Sequence, residues 1–119
     1  MKKVMIIEDD PAILDVIGIL FTRAGYSIAS HANGNFIFEE KFDMPDLFII
    51  DKQLPGVDGL EICKHLKSWL PTREIPIIVL SATPHLQEQI KQAGANVFLE
   101  KPFSNKTLLQ LAEELTKGG

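Results

Sequence analysis

The sequence predicts a doubly wound α/β domain: a five-stranded parallel sheet in the order 2-1-3-4-5, with helices on both faces. Two observations carry this expectation. Short apolar runs recur along the chain, the core ones without alternation of apolar and polar residues, and helical patterns lie between them, so that strand and helix follow one another five times. Continuous β-branched and aromatic runs fit strands covered on both faces, and right-handed crossovers put the intervening helices on both sides of the sheet. A length of 119 residues with 45% hydrophobic content is enough for one core without disulfides or a structural metal, so one domain over 1–119 is expected.

The strands are expected at Val4 to Ile7, Leu47 to Ile50, Ile77 to Leu80 and Val97 to Leu99, with a more polar edge strand at Ser27 to His31. The first helix follows Asp10-Pro11, a cap and a first-turn proline, and carries Leu14, Ile17, Phe21 and Ala24 until Gly25 ends it. A short helix is expected over Asn35 to Phe42. Asp58-Gly59 opens a clearer pattern with Ile62, Cys63, Leu66, Trp69 and Leu70, stopped by Pro71. Another begins near Pro84, carries Leu86 and Ile90, and ends at Gly94. The last has Ser104 as its cap and Leu108, Leu111, Ala112 and Leu115 as its buried stripe, with Phe103 placed to staple against Leu108.

Composition excludes several function classes. A net charge of −4 is wrong for a chain that itself holds nucleic acid, which needs clustered Lys and Arg. Cys63 is the only cysteine, which rules out an internal disulfide and suits a buried thiol in a reducing, cytoplasmic compartment. No segment approaches the roughly 18 apolar residues of a membrane span. No glycine-rich phosphate loop is present. The closing Gly118-Gly119 reads as a frayed end or the cut edge of a longer chain. His31, His65 and His85 are scattered and read as ordinary surface residues.

In open α/β sheets, ligands bind outside the carboxyl ends of the strands. Those positions hold Glu8, Asp9 and Asp10 after the first strand, Asp51 after the third, Ser81 after the fourth and Lys101 after the fifth. Asp10 is accounted for as a helix cap. The remaining acids would repel one another unless a cation neutralises them, and hard carboxylate oxygens without His or Cys select Mg²⁺, or Mn²⁺ as a substitute. A carboxylate beside such an ion can accept a phosphoryl group. Asp51 is the natural nucleophile, Glu8 and Asp9 the metal-holding acids, and Lys101 and Ser81 partners for phosphoryl oxygens. The backbone carbonyl of Gln53 could complete the metal shell.

The runs Ile6-Ile7-Glu8-Asp9-Asp10-Pro11, Asp51-Lys52-Gln53-Leu54-Pro55-Gly56-Val57-Asp58-Gly59, Val79-Leu80-Ser81-Ala82 and Gly94 to Phe103, in this order and spacing, resemble the response-regulator receiver family of two-component signalling over essentially the whole chain. The resemblance implies a flavodoxin-like three-layer (βα)5 sandwich. It implies Asp9 as the direct metal ligand, an aspartyl phosphate at Asp51, a switch hydroxyl at Ser81, a phosphate-binding Lys101, an aromatic switch at Phe98 and a cis Lys101-Pro102 peptide. It further implies a donor histidine kinase or histidine phosphotransfer protein, an output partner or domain, and self-phosphorylation and self-dephosphorylation rather than turnover of a substrate. Homodimerisation through the last two strands and helices is compatible with the pattern but not demanded by it.

The chain departs from the family at Lys52, where an apolar residue is common. Gln53 and Thr83 occupy positions that influence the lifetime of the phosphoryl group, and the stretch from Ser81 to Lys101 is slightly short, which would trim the fourth crossover helix or its leading loop. Two other readings compete. One is a receiver-like protein-binding module that works without phosphorylation, which the retained acids, Ser81 and Lys101 argue against. The other is a phosphatase of the haloacid-dehalogenase kind, which would carry an Asp where this chain has Gln53.

Overall fold

In a computed structural model, which describes residues 1–117, five strands and four α-helices alternate around one sheet. The strands are β1 (Lys3–Ile7), β2 (Ser27–His31), β3 (Leu47–Asp51), β4 (Ile77–Ser81) and β5 (Val97–Glu100). All pair in parallel, in the order β2-β1-β3-β4-β5, as expected. The helices are α1 (Pro11–Arg23), α2 (Gly59–Ser68), α3 (Gln87–Gln92) and α4 (Asn105–Thr116).

The sheet separates two apolar layers by the period-two geometry of strands. Val4, Ile6, Leu47, Ile49, Ile78 and Leu80 point to one face, where Ile17 and Phe21 of α1 and Leu108 and Ala112 of α4 cover them. Met5, Ile7, Phe48, Ile50, Ile77 and Val79 point to the other, under Ile62, Cys63 and Leu66 of α2 and Ile90 of α3. Both faces being covered explains why these strands read as unbroken apolar runs.

Local chemistry sets the helix ends. The Asp10 carboxylate accepts from the Ala12 and Ile13 N–H groups at 2.9 and 3.4 Å, and Gly25 at φ 93° follows the end of α1. Asp58 caps α2 through Leu60 N–H at 2.8 Å, and Ser104 caps α4 through Thr107 N–H at 3.4 Å. Phe103 packs on the layer that contains Leu108.

Four expectations need correction. The crossover from β2 to β3 holds no α-helix: a 3-10 turn spans only Asn35–Glu39, without a side-chain cap at Gly34 and with Glu40 in the left-handed region at φ 58°. Phe42 lies beyond it. α2 stops at Ser68, before Trp69 and Leu70. The proline at 71 disfavours helical backbone at Leu70, and the Thr72 hydroxyl donates to the Leu66 carbonyl at 2.6 Å. Leu70 is left 69% exposed. α3 starts at Gln87 rather than near Pro84, because His85 sits at φ 62°. It is six residues long. Ala24 is the exposed C-cap of α1 and not part of its buried stripe.

Candidate functional site

The carboxyl ends of β1, β3, β4 and β5 meet at one rim of the sheet. Glu8 follows β1 directly, Asp51 and Ser81 are the last residues of β3 and β4, and Lys101 follows β5. Oxygens of Glu8, Asp9 and Asp51 lie within 4.8 Å of one another. The Lys101 ammonium bridges the group, 2.8 Å from Glu8 Oε1 and 3.3 Å from Asp51 Oδ1.

Glu8 is the inner member. It is fully buried, and while Oε1 takes Lys101, Oε2 accepts the Asp10 N–H at 3.2 Å. Burial pushes its carboxyl up to about 7, with the charge of Asp51 adding to the rise, against the pull of Lys101 and the Asp10 N–H. For Lys101, burial pulls downward, but the hydrogen bond to Glu8 and the negative charges of Asp51 and Glu8 outweigh it. The net direction is upward, and the side chain stays a cation. Asp9 is exposed and Asp51 is 4% exposed, so the open side of the cluster is formed by Asp9. Three carboxylates face one ammonium, an excess of hard negative oxygen that fits a divalent cation such as Mg²⁺.

Ser81 is buried, and its Oγ accepts the Thr83 N–H at 3.1 Å. The Ser81 carbonyl accepts the Lys101 N–H at 2.8 Å, which ties the ends of β4 and β5 together. The Lys101–Pro102 peptide is cis. Gln53 borders the same shallow groove as Asp9, and its side-chain amide donates to Thr83 Oγ1 at 3.4 Å. Phe98 is half-buried on β5, opposite Val79 and two positions before the Ser81–Glu100 pair. It packs with the α2/α3 layer and is not among the residues gathered at the acids.

Some functional features escaped the sequence reading. Gly59 was visible only as a helix opener, yet a Cβ there would run into the Asp51 carbonyl oxygen and lie 2.8 Å from the Lys52 Cα. Its missing side chain lets α2 start directly against the phosphoacceptor candidate. Nor did sequence spacing link Gln53 to Thr83, or Lys52 to Asp58 at 2.9 Å. His31 and His65 are half-buried rather than free on the surface. The His31 ring stacks on Phe36 at 3.9 Å, and His65 meets Glu40 at 3.0 Å.

A model of the response regulator receiver domain matches residues 4–113, a span that contains every one of these positions. The chain belongs to this family. Receiver domains are signalling phosphoacceptors of two-component systems that bind Mg²⁺ at an acidic site, and the Glu8, Asp9 and Asp51 pocket fits such a site. Among curated relatives, the DNA-binding dual master transcriptional regulator RpaA of Synechocystis is 34% identical over 98% of this chain and 50% of its own length. The chain thus spans half of that relative. Among solved structures, the receiver domain of a sensor histidine kinase from Pseudomonas aeruginosa is similar at TM-score 0.87 and 26% identity, over 97% of both chains. It was solved with a magnesium ion coordinated in its active-site cleft. The chemotaxis response regulator CheY4 of Vibrio cholerae is similar at TM-score 0.88 and 25% identity, over 97% of this chain and 98% of that one. Among the described residues, no helix of this receiver is long and apolar enough to cross a membrane.

Proposed function

We propose that Asp51 is the phosphoacceptor of a cytoplasmic receiver unit spanning 1–119, charged by the phosphohistidine of a histidine kinase or histidine phosphotransfer protein. The observation that carries this reading is the Lys101 ammonium held 2.8 Å from Glu8 and 3.3 Å from Asp51, beside the open carboxylate of Asp9. An Asp51 oxygen attacks phosphorus in line with the P–N bond of the donor. The new P–O bond forms as the P–N bond breaks, and the electron pair returns to the imidazole, which leaves neutral after taking a proton.

Asp9, Asp51 and the Gln53 carbonyl would hold Mg²⁺, or Mn²⁺ in its place. Glu8, with both oxygens engaged by Lys101 and Asp10, would contribute its charge from behind. When bound, the ion would offset negative charge on the phosphoryl oxygens. Lys101 moves from its bridge between carboxylates to a phosphoryl oxygen. Ser81 already accepts the Thr83 N–H, and its own O–H is left to donate to another oxygen. Drawing Ser81 toward the phosphoryl group shifts the segment that follows β4. Phe98, half-buried on the neighbouring strand, repacks with it and biases a two-state equilibrium read by an output partner or domain.

The test is intact-protein mass spectrometry with acetyl phosphate. A gain of one phosphoryl group that requires Mg²⁺ and vanishes in Asp51→Asn is expected. Absence of any gain with fresh donor would overturn the assignment in favour of a binding module that works without phosphorylation.

A further inference from the structure

The loop between Asp51 and α2 is tied at its two ends by a side chain as well as by backbone. Lys52 Nζ donates to Asp58 Oδ2 at 2.9 Å, and the lysine side chain is only 20% exposed. Asp58 uses its other oxygen to cap α2, so one carboxylate fixes both the helix start and the clasp. Backbone bonds run in parallel with it. The Lys52 N–H donates to the Leu80 carbonyl at 2.8 Å and the Gly59 N–H to the Lys52 carbonyl at 2.7 Å, while Gln53 and Asp58 form an isolated antiparallel bridge. The residues enclosed by the clasp wall the groove that Asp9 also borders.

We infer that Lys52 is a positioning residue for the metal: its ion pair with Asp58 holds the loop of residues 53–57 so that the Gln53 carbonyl stays at the rim shared with Asp9 and Asp51. This rests on the reading of Asp9, Asp51 and Gln53 as the metal shell. A partly exposed ion pair adds little to global stability, whereas groups that orient a metal ligand commonly govern affinity. Charge alone predicts the reverse, because a lysine beside an acidic cation site repels the cation. Positioning and repulsion therefore give Lys52 opposite signs, and one substitution separates them.

The experiment is calorimetric titration of the phosphate-free protein with MgCl₂, for wild type, Lys52→Met and Lys52→Arg, with amide hydrogen exchange of residues 53–58 measured in EDTA. Lys52→Met is expected to bind Mg²⁺ about ten-fold more weakly and to exchange faster at these amides. Lys52→Arg, which keeps the cation, is expected to restore both. If Lys52→Met unfolds, as judged by urea denaturation, Lys52→Gln replaces it in the same comparison. Binding as tight as wild type or tighter after loss of the lysine, or unchanged loop exchange, would overturn the positioning role. A wild-type chain that takes up no Mg²⁺ at millimolar concentration would instead sink the metal-shell reading, and the inference with it.

Discussion

The two faces of the sheet are built by different means. One is covered by α1 and α4, of 13 and 12 residues, each with a side-chain cap. The other is covered by α2, the six-residue α3, whose N-terminus has no side-chain cap, and a 3-10 turn. Where a helix is missing on this second face, aromatic side chains fill in. Phe42 packs edge-on against Phe36, Phe48 and Trp69, with ring centroids 5.8, 6.2 and 5.8 Å apart. Regular helices deliver burial through periodicity. The aromatic cluster delivers it through a few large groups on irregular backbone. The first face is thus packed by long capped helices, and the second by shorter elements and a few large side chains.

Truncation on each face tests that division most strongly. Phe21→Ala, on the fully buried first face, should cost about 3–5 kcal/mol in urea unfolding. Phe42→Ala, half-buried on the second, should cost about 1–2 kcal/mol, within the range of ordinary point substitutions. Equal losses would erase the contrast. Asp10→Ala removes the α1 cap and should lower stability by about 1 kcal/mol, measured in the same unfolding assay. His85→Gly relieves a left-handed backbone in the loop leading to α3 and should stabilise by about 0.5 kcal/mol. A destabilised variant would show that the loop is held by contacts of the His85 side chain.

The smallest effect is a slope. Burial against Phe36, with the charge of Lys3 adding to it, lowers the His31 pKa below 6.5. The unfolded chain then binds the proton more readily, so this contribution to stability is complete above pH 6.5 and is lost as pH falls through the lowered value. The urea midpoint of wild type should fall more steeply than that of His31→Gln on acidification through this window. Parallel curves would place the pH sensitivity elsewhere.

The same contrast explains what could be read from the sequence. The strands, their order, the caps at Asp10, Asp58 and Ser104, and the residues at the strand ends follow from local chemistry and the period of the apolar pattern. So does the convergence of Glu8, Asp51, Ser81 and Lys101, since a parallel sheet places all strand ends on one rim. The 3-10 turn was not legible, because Phe36, Ile37 and Phe42 are apolar at spacings that a short helix would also give. It is decided by the left-handed Glu40 and by packing on Phe48, which lies in another element. The end of α2 before Trp69 depends on Thr72 reaching back to Leu66. The Gln53–Thr83 and Lys52–Asp58 links join side chains whose proximity only the folded loops create.

Gly59 carries a lesson for protein engineering. Glycine in the first turn of a helix is a weak choice by propensity, on the order of 1 kcal/mol below alanine, and a search for stabilising substitutions would target it early. Its missing Cβ, however, is what lets α2 begin against the Asp51 carbonyl. An alanine there would push the helix or the strand end aside and displace Asp51, the proposed phosphoacceptor. A gain in helix propensity is there set against the placement of the β3 end by a single hydrogen atom.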